Sequence, residues 1–225
     1  MEKTYEQLYM PKFKTQPKFR LKLERGDSSI AINSETNTIY VLIKGKTLYE
    51  LDNNTKKITA TKISDLTFNS IQHLIGKIDP LNFLINADRQ TKWPSKDPEK
   101  YYELVFGEGV YVRAGDYSWL ENQTYLLLRD DKKNIIKYTE LGYAAELPRI
   151  LFNRNLGLFF HIIGTHIRVR NLDLEVVGTM WLGDSVETIG LNLKTNELLV
   201  VTNEGWRAHR YLNIIPSMAY DRELS

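Results

Sequence analysis

Apolar residues in this chain come in short runs that alternate with polar ones at a period of two and stop at Gly, Asn or Asp. That is the pattern of strands joined by tight turns, not of helices. Ile39 to Ile43 and Thr47 to Leu51 flank Lys44-Gly45-Lys46, and Asp52-Asn53-Asn54 then turns the chain toward Ile58 to Ile63. Ahead of them, Ser29-Ile30-Ala31-Ile32 reads as a further short strand, ended by Asn33-Ser34-Glu35-Thr36-Asn37. Asn and Ser side chains in such a turn bond to the nearby backbone and so stop the strand. The four segments predict one antiparallel meander.

The unit recurs. Ile150-Leu151-Phe152-Asn153 leads into Leu158 to Ile163, then Gly164-Thr165, His166 to Arg170, Asp173 and a run from Glu175 to Trp181. Ile189-Gly190-Leu191-Asn192 repeats the opening, followed by Thr195-Asn196, Leu198 to Val201, Glu204-Gly205 and Trp206 to Leu212. Asn33, Asn153 and Asn192 hold equivalent places, 120 and 39 residues apart, which is three periods and one period of about 40 residues, the length of a propeller blade. Weaker copies are expected around Ile71 to Ile85 and around Tyr125 to Tyr138, giving about five units. From Lys18 onward the chain resembles the β-propeller repeat class, which includes the tryptophan-aspartate families. No Trp-Asp dipeptide closes a repeat and Gly-His is absent from the opening position, so the resemblance extends to architecture and names no family within the class. It implies an all-β fold, a small β-propeller of about five four-stranded antiparallel blades in a single domain over residues 1–225.

The last unit has no convincing fourth strand: after Leu212 come Pro216 and a polar tail, 216–225. Lys18-Phe19-Arg20-Leu21-Lys22-Leu23 alternates cation and apolar residue, as an outer strand wet on one side should. Pairing it with the last blade would remove two exposed sheet edges and close the ring. Residues 1–17 then form an N-terminal extension.

Composition narrows function by exclusion. With no cysteine, disulfides and thiolate metal sites are closed, and a net charge of +2 supplies no field to draw the protein to nucleic acid or to an acidic membrane. Met1 to Met10 contains no apolar stretch of the kind a secretory leader needs, and no run reaches the length of a membrane span, so a cytoplasmic location is expected. Gly107-Glu108-Gly109 lacks the further glycine and helix of a dinucleotide site and reads as a hairpin turn. The histidines His73, His161, His166 and His209 have no metal-binding spacing, and Gly-x-Ser-x-Gly is missing. No catalytic residue, metal or cofactor is expected, and an enzyme is the less favoured reading.

The largest departure from the repeat is 86–100, Asn86-Ala87-Asp88-Arg89-Gln90-Thr91-Lys92-Trp93-Pro94 and onward to Lys100, read as a loop insertion. Insertions on a rigid scaffold are where recognition is commonly placed. Arg89, Trp93, Tyr101, Tyr102, Arg113, Tyr117, Trp119 and Trp206 have the aromatic and arginine composition of an interface anchor. Together they predict a non-catalytic protein-protein interaction module, an adaptor, complex subunit or immunity-type neutralising partner. The competing reading of the same residues is that Trp93 covers its own loop and the tyrosines are ordinary strand residues. The alternative function is a carbohydrate-binding or glycoside-hydrolase-like propeller using the inter-blade carboxylates Asp65, Asp116, Asp184 and Glu187, against which stands the ordinary use of Asp to accept backbone N–H groups in turns.

Overall fold

A computed structural model describes residues 14–43, 46–63, 92–106, 112–114, 116–118, 123–143, 150–204 and 209–222. All of the regular structure there is β. Strand β1 is Phe19–Leu23; β2 Ser28–Asn33, β3 Thr38–Ile43, β4 Thr47–Asp52 and β5 Ile58–Lys62 follow; then β6 Lys92–Pro94, β7 Lys100–Phe106, the short β8 Val112–Ala114 and β9 Asp116–Ser118, β10 Gln123–Asp130 and β11 Ile135–Tyr143. The C-terminal half holds β12 Ile150–Asn153, β13 Leu158–Ile163, β14 His166–Arg170, β15 Val176–Trp181, β16 Ser185–Asn192, β17 Glu197–Glu204, β18 His209–Pro216 and β19 Asp221–Arg222.

These strands make four antiparallel meanders. Sheet I is β2-β3-β4-β5, sheet II β6-β7-β10-β11, sheet III β12-β13-β14-β15 with β19 on its outer edge, and sheet IV β16-β17-β18-β1. The fold is therefore all-β and built of four-stranded units of the β-propeller kind. The unit expected around 71–85 lies outside the described residues.

The alternation seen in the sequence explains the packing. Strand side chains point to opposite faces in turn, and each middle sheet is apolar on both. One face of sheet IV, with Leu199, Val201, Leu212 and Ile214, packs on Ile30, Ile39, Val41 and Leu51 of sheet I. Its other face, with Ile189, Leu191, Leu198 and Val200, packs on Leu151, Phe160, Ile167 and Met180 of sheet III. Sheet III then turns Ile150, Phe152 and Phe159 toward Trp93, Tyr102, Leu104 and Leu126 of sheet II. The first strands of sheets I, III and IV come together: β16 lies against β2 and touches β12, and the Thr188 hydroxyl donates to the Ser28 carbonyl at 3.1 Å.

The three aligned asparagines do the same work. The Oδ1 of Asn33 accepts the N–H groups of Glu35 and Thr36, that of Asn153 those of Asn155 and Leu156, and that of Asn192 those of Lys194 and Thr195. The residue four positions on is left-handed each time: Asn37 (φ 57°), Gly157 (φ 68°) and Asn196 (φ 51°). Asn and Gly are the residues that tolerate this region. At 157 a Cβ would also stand 3.1 Å from the Leu172 side chain. The turns link the sheets as well, because Asn192 Nδ2 donates to Asn37 at 2.8 Å and Asn153 Nδ2 donates to Asn196 at 3.2 Å. Glu197, buried beside them, accepts from Asn53 at 3.0 Å and Thr195 at 2.7 Å and pairs with Lys18. Burial pushes its pKa up, but these donors outweigh burial and hold the carboxyl below its ordinary value.

β1 pairs with β18 from Phe19↔Ile214 to Leu23↔Arg210, so the N-terminal strand completes the last sheet as the alternation predicts. Three expectations need correction. The stretch 86–100 is not loop throughout: Lys92–Pro94 is an edge strand of sheet II that pairs with β7 through Trp93↔Tyr102, 95–99 is the turn between them, and 86–91 lie outside the described residues. Tyr125 to Tyr138 is not a separate unit but the outer half of that same sheet, paired with β7 through Tyr125↔Val105 and Leu127↔Glu103. The strand begun after 205 does not stop at Leu212; it runs to Pro216, where Glu197↔Pro216 still pair, and beyond the turn Asp221 sits opposite Thr179 at the edge of sheet III. β19 lies so close over Gly178 that a Cβ there would stand 2.1 Å from the Asp221 carbonyl oxygen.

Candidate interaction face

The meanders sort their connections onto two ends. At one end are the turns opened by Asn33, Asn153 and Asn192 and those between the outer two strands, closed by Asp52, Asp130 and Asn171 through bonds to nearby N–H groups. Sheet II has the same orientation, since the Tyr102 hydroxyl near the start of β7 donates to the Leu172 carbonyl at 2.9 Å and Lys137 near the start of β11 pairs with Glu175. These connections are short and satisfied by their own side chains.

At the other end β7 stops and β10 starts, with the β8–β9 hairpin between them in sequence, and there too the strands of the β3–β4, β13–β14 and β17–β18 hairpins meet their turns and the last strand of one sheet hands on to the next. In sheet II the meander is interrupted between β7 and β10, where the β8–β9 hairpin lies, while 86–91 of the stretch singled out in the sequence lie outside the described residues.

The expected site residues divide accordingly. Trp93 is 4% exposed, edge-on to Phe159 at 5.9 Å, and Tyr102 is 2% exposed, 4.7 Å from the same ring. Both side chains are spent on the interface between sheets II and III and offer no surface to a partner; Tyr102 is the ordinary strand residue of the competing reading, while Trp93 covers Phe159 of the neighbouring sheet and not its own loop. Tyr101, half-buried on the opposite face of β7, lies 5.7 Å from the Lys92 ammonium. Arg113 and Tyr117 are brought together as cross-strand partners in the β8–β9 hairpin, beside Ala114↔Asp116. Arg89, Trp119, Trp206 and Asp65 lie outside the described residues.

Of the carboxylates, Asp184 pairs with Arg20 at 3.1 Å and Glu187 pairs with Arg210. Each holds an arginine of sheet IV in place, and Arg20 in turn stacks 3.8 Å over the Tyr211 ring. Among the described residues no group of three or more His, Asp or Glu side chains is arranged to hold a metal ion, and no helix there is long and apolar enough to cross a membrane.

The histidines separate by depth. His166 stacks on Trp181 at 4.6 Å near the surface. His161 is 3% exposed; burial, with the charges of Arg170, Arg168 and His166 adding to it, pushes its pKa down to about 3. A group neutral in the fold and titrating near 6.5 in the unfolded chain stabilises fully above that pH and loses its contribution as pH falls below it toward 3. Between pH 8 and pH 5 this amounts to about 2 kcal/mol. Urea midpoints at the two pH values should show that loss, and His161→Gln should flatten it whatever its effect on absolute stability.

One feature of this face escaped the sequence. Where sheets IV and I meet at their outer strands, Glu24, Arg25, Lys46, Lys62 and Ile63 line an open cleft of about 610 Å³. Glu24 accepts from Lys62 and from Thr47 Oγ1, and these bonds hold its carboxyl below the ordinary value. The signal is legible only through strand register: Thr47↔Lys62 is the first pair of β4 and β5.

No protein-family model matches the chain, and no curated protein matches it. Among solved structures the chain is similar to the WD40 domain of coronin from Toxoplasma gondii, at 10% identity and a TM-score of 0.39, over 87% of this chain and 47% of that one. It spans about half the length of that chain.

Proposed function

We propose that the protein is a non-catalytic protein-protein interaction module that binds through the end of its sheets at which β7 stops and β10 starts, in the cytoplasm as the sequence suggests. The observation that carries this reading is the asymmetry between the ends: one is closed by short asparagine- and aspartate-capped turns, and at the other one sheet hands on to the next and the meander of sheet II is interrupted between β7 and β10. A scaffold whose cost of variation falls on one end presents that end for recognition. The pairing of Asp184 and Glu187 with arginines of their own sheet gives the carbohydrate-directed alternative no support.

The test replaces 107–123 by an Asn-Gly turn. Phe106↔Thr124 is already the first pair of β7 and β10, so a tight hairpin joins them without disturbing the ladder, and the melting temperature should hold within a few degrees. Affinity capture of a stoichiometric partner by the intact chain, and its loss in the shortened variant, supports the reading. A partner retained in full by the shortened chain, or glycan-array binding with no protein partner, overturns it.

A further inference from the structure

We propose that the cleft between the outer strands of sheets I and IV receives an extended acidic segment of the partner protein. The inference rests on the interaction-module reading and adds the chemistry of what is bound. Three cations, Arg25, Lys46 and Lys62, face one carboxylate, Glu24. The excess of two positive charges in this one cleft equals the net charge of the whole chain, +2.

Glu24 shows how a carboxylate is held. Its two oxygens take the Lys62 ammonium and the Thr47 hydroxyl, Lys62 also reaches Thr47 Oγ1 at 3.1 Å, and Lys46 donates to the Arg25 carbonyl. The lysines are tethered to these partners yet remain exposed, so a second carboxylate can join them without displacing the first. Ammonium groups with this exposure attract a carboxylate only weakly, and salt weakens them further. The cleft consequently steers and orients the partner more than it supplies affinity.

The shape of the neighbourhood selects a peptide over a small anion. Lys62 ends β5, the outermost strand of sheet I, whose residues are all exposed and whose outer edge pairs with no strand among the described residues. An extended segment laid along that edge gains main-chain hydrogen bonds and delivers its acidic side chains into the cleft. Lys56 and Lys57, in the turn that precedes β5, place further positive charge at the far end of the same path.

Fluorescein-labelled decaglutamate, with decaglutamine as control, is titrated with the full chain at 50 and 200 mM salt and read by anisotropy. Decaglutamate alone should bind, more weakly at the higher salt. The double variant Lys46→Glu/Lys62→Glu should lose at least tenfold in affinity, Glu24→Gln should gain a fewfold, and Lys132→Glu, on the opposite end of the molecule, should bind as the parent does. Thermal melts confirm that all variants fold; Glu24→Gln reads the proposal even if the double variant does not. Equal binding by the double variant, equal loss in Lys132→Glu, or tighter binding of a thymidine decanucleotide than of decaglutamate overturns the proposal. If the double variant still captures the natural partner while replacing 107–123 abolishes capture, this inference fails and the interaction-module reading stands.

Discussion

Deleting residues 1–24 should leave a protein that aggregates or fails to fold. β1 supplies the outer strand of sheet IV along five paired positions, and Leu23 is buried with Phe19 and Leu21 packed against the same core. Burying such side chains is worth about 1.5–3 kcal/mol each, so their joint loss approaches the roughly 5–15 kcal/mol by which a domain of ordinary stability is held. The deletion also removes Lys18 from buried Glu197, Arg20 from Asp184, and the Thr15 N–H that donates to the Trp181 carbonyl at 2.7 Å. β18 becomes an exposed edge, with the row of free N–H and C=O groups that recruits other chains. Size-exclusion chromatography and circular dichroism check the result. A truncated chain that elutes as the parent does and melts at the same temperature would mean that sheet IV is complete without β1.

Trp93→Ala should lower the melting temperature by roughly 10 °C. A buried Trp truncated to Ala costs about 3–5 kcal/mol, and in a domain of this size each kcal/mol is worth about 2–4 °C. The site cannot collapse cheaply. Trp93 meets Phe159 edge-on, and Phe159 is stacked on Phe152 at 4.4 Å and capped by Tyr102, so the cavity would open in the middle of an aromatic cluster that joins two sheets. Trp93→Phe, keeping part of the contact, should cost less than half as much. The measurement also decides between the two uses of this residue, because an exposed anchor would lose partner binding with almost no change in melting.

The difference between Trp93 and the asparagines shows why some features were legible and others not. Asn33, Asn153 and Asn192 act locally: each caps a turn two and three residues away and sets up a left-handed residue at the fourth position. Local chemistry of that kind is written in consecutive letters, and so were the strands of sheets I, III and IV. Sheet II was misread because its meander is interrupted between second and third strands, where the β8–β9 hairpin lies. Its two halves then look like an insertion followed by an incomplete repeat. A tryptophan beside prolines and charges resembles a surface anchor in sequence; in the fold its flanks Lys92 and Pro94 point out while Trp93 points in, the alternation of a strand only three residues long and too short to announce itself.

The sequence by itself determined the class of the fold, the four-stranded unit, the turns that end its strands, and the alternating N-terminal strand that completes the last sheet. Each is a matter of period and neighbouring residues, which a chain states directly. Only the tertiary structure decided that Trp93 and Tyr102 belong to the core, that Asp184 and Glu187 are committed to arginines, and that Glu24, Arg25, Lys46 and Lys62 share one cleft. Those facts depend on which sheets stand side by side and in what register, and residues 21 to 164 positions apart meet through packing that leaves no periodic trace along the chain.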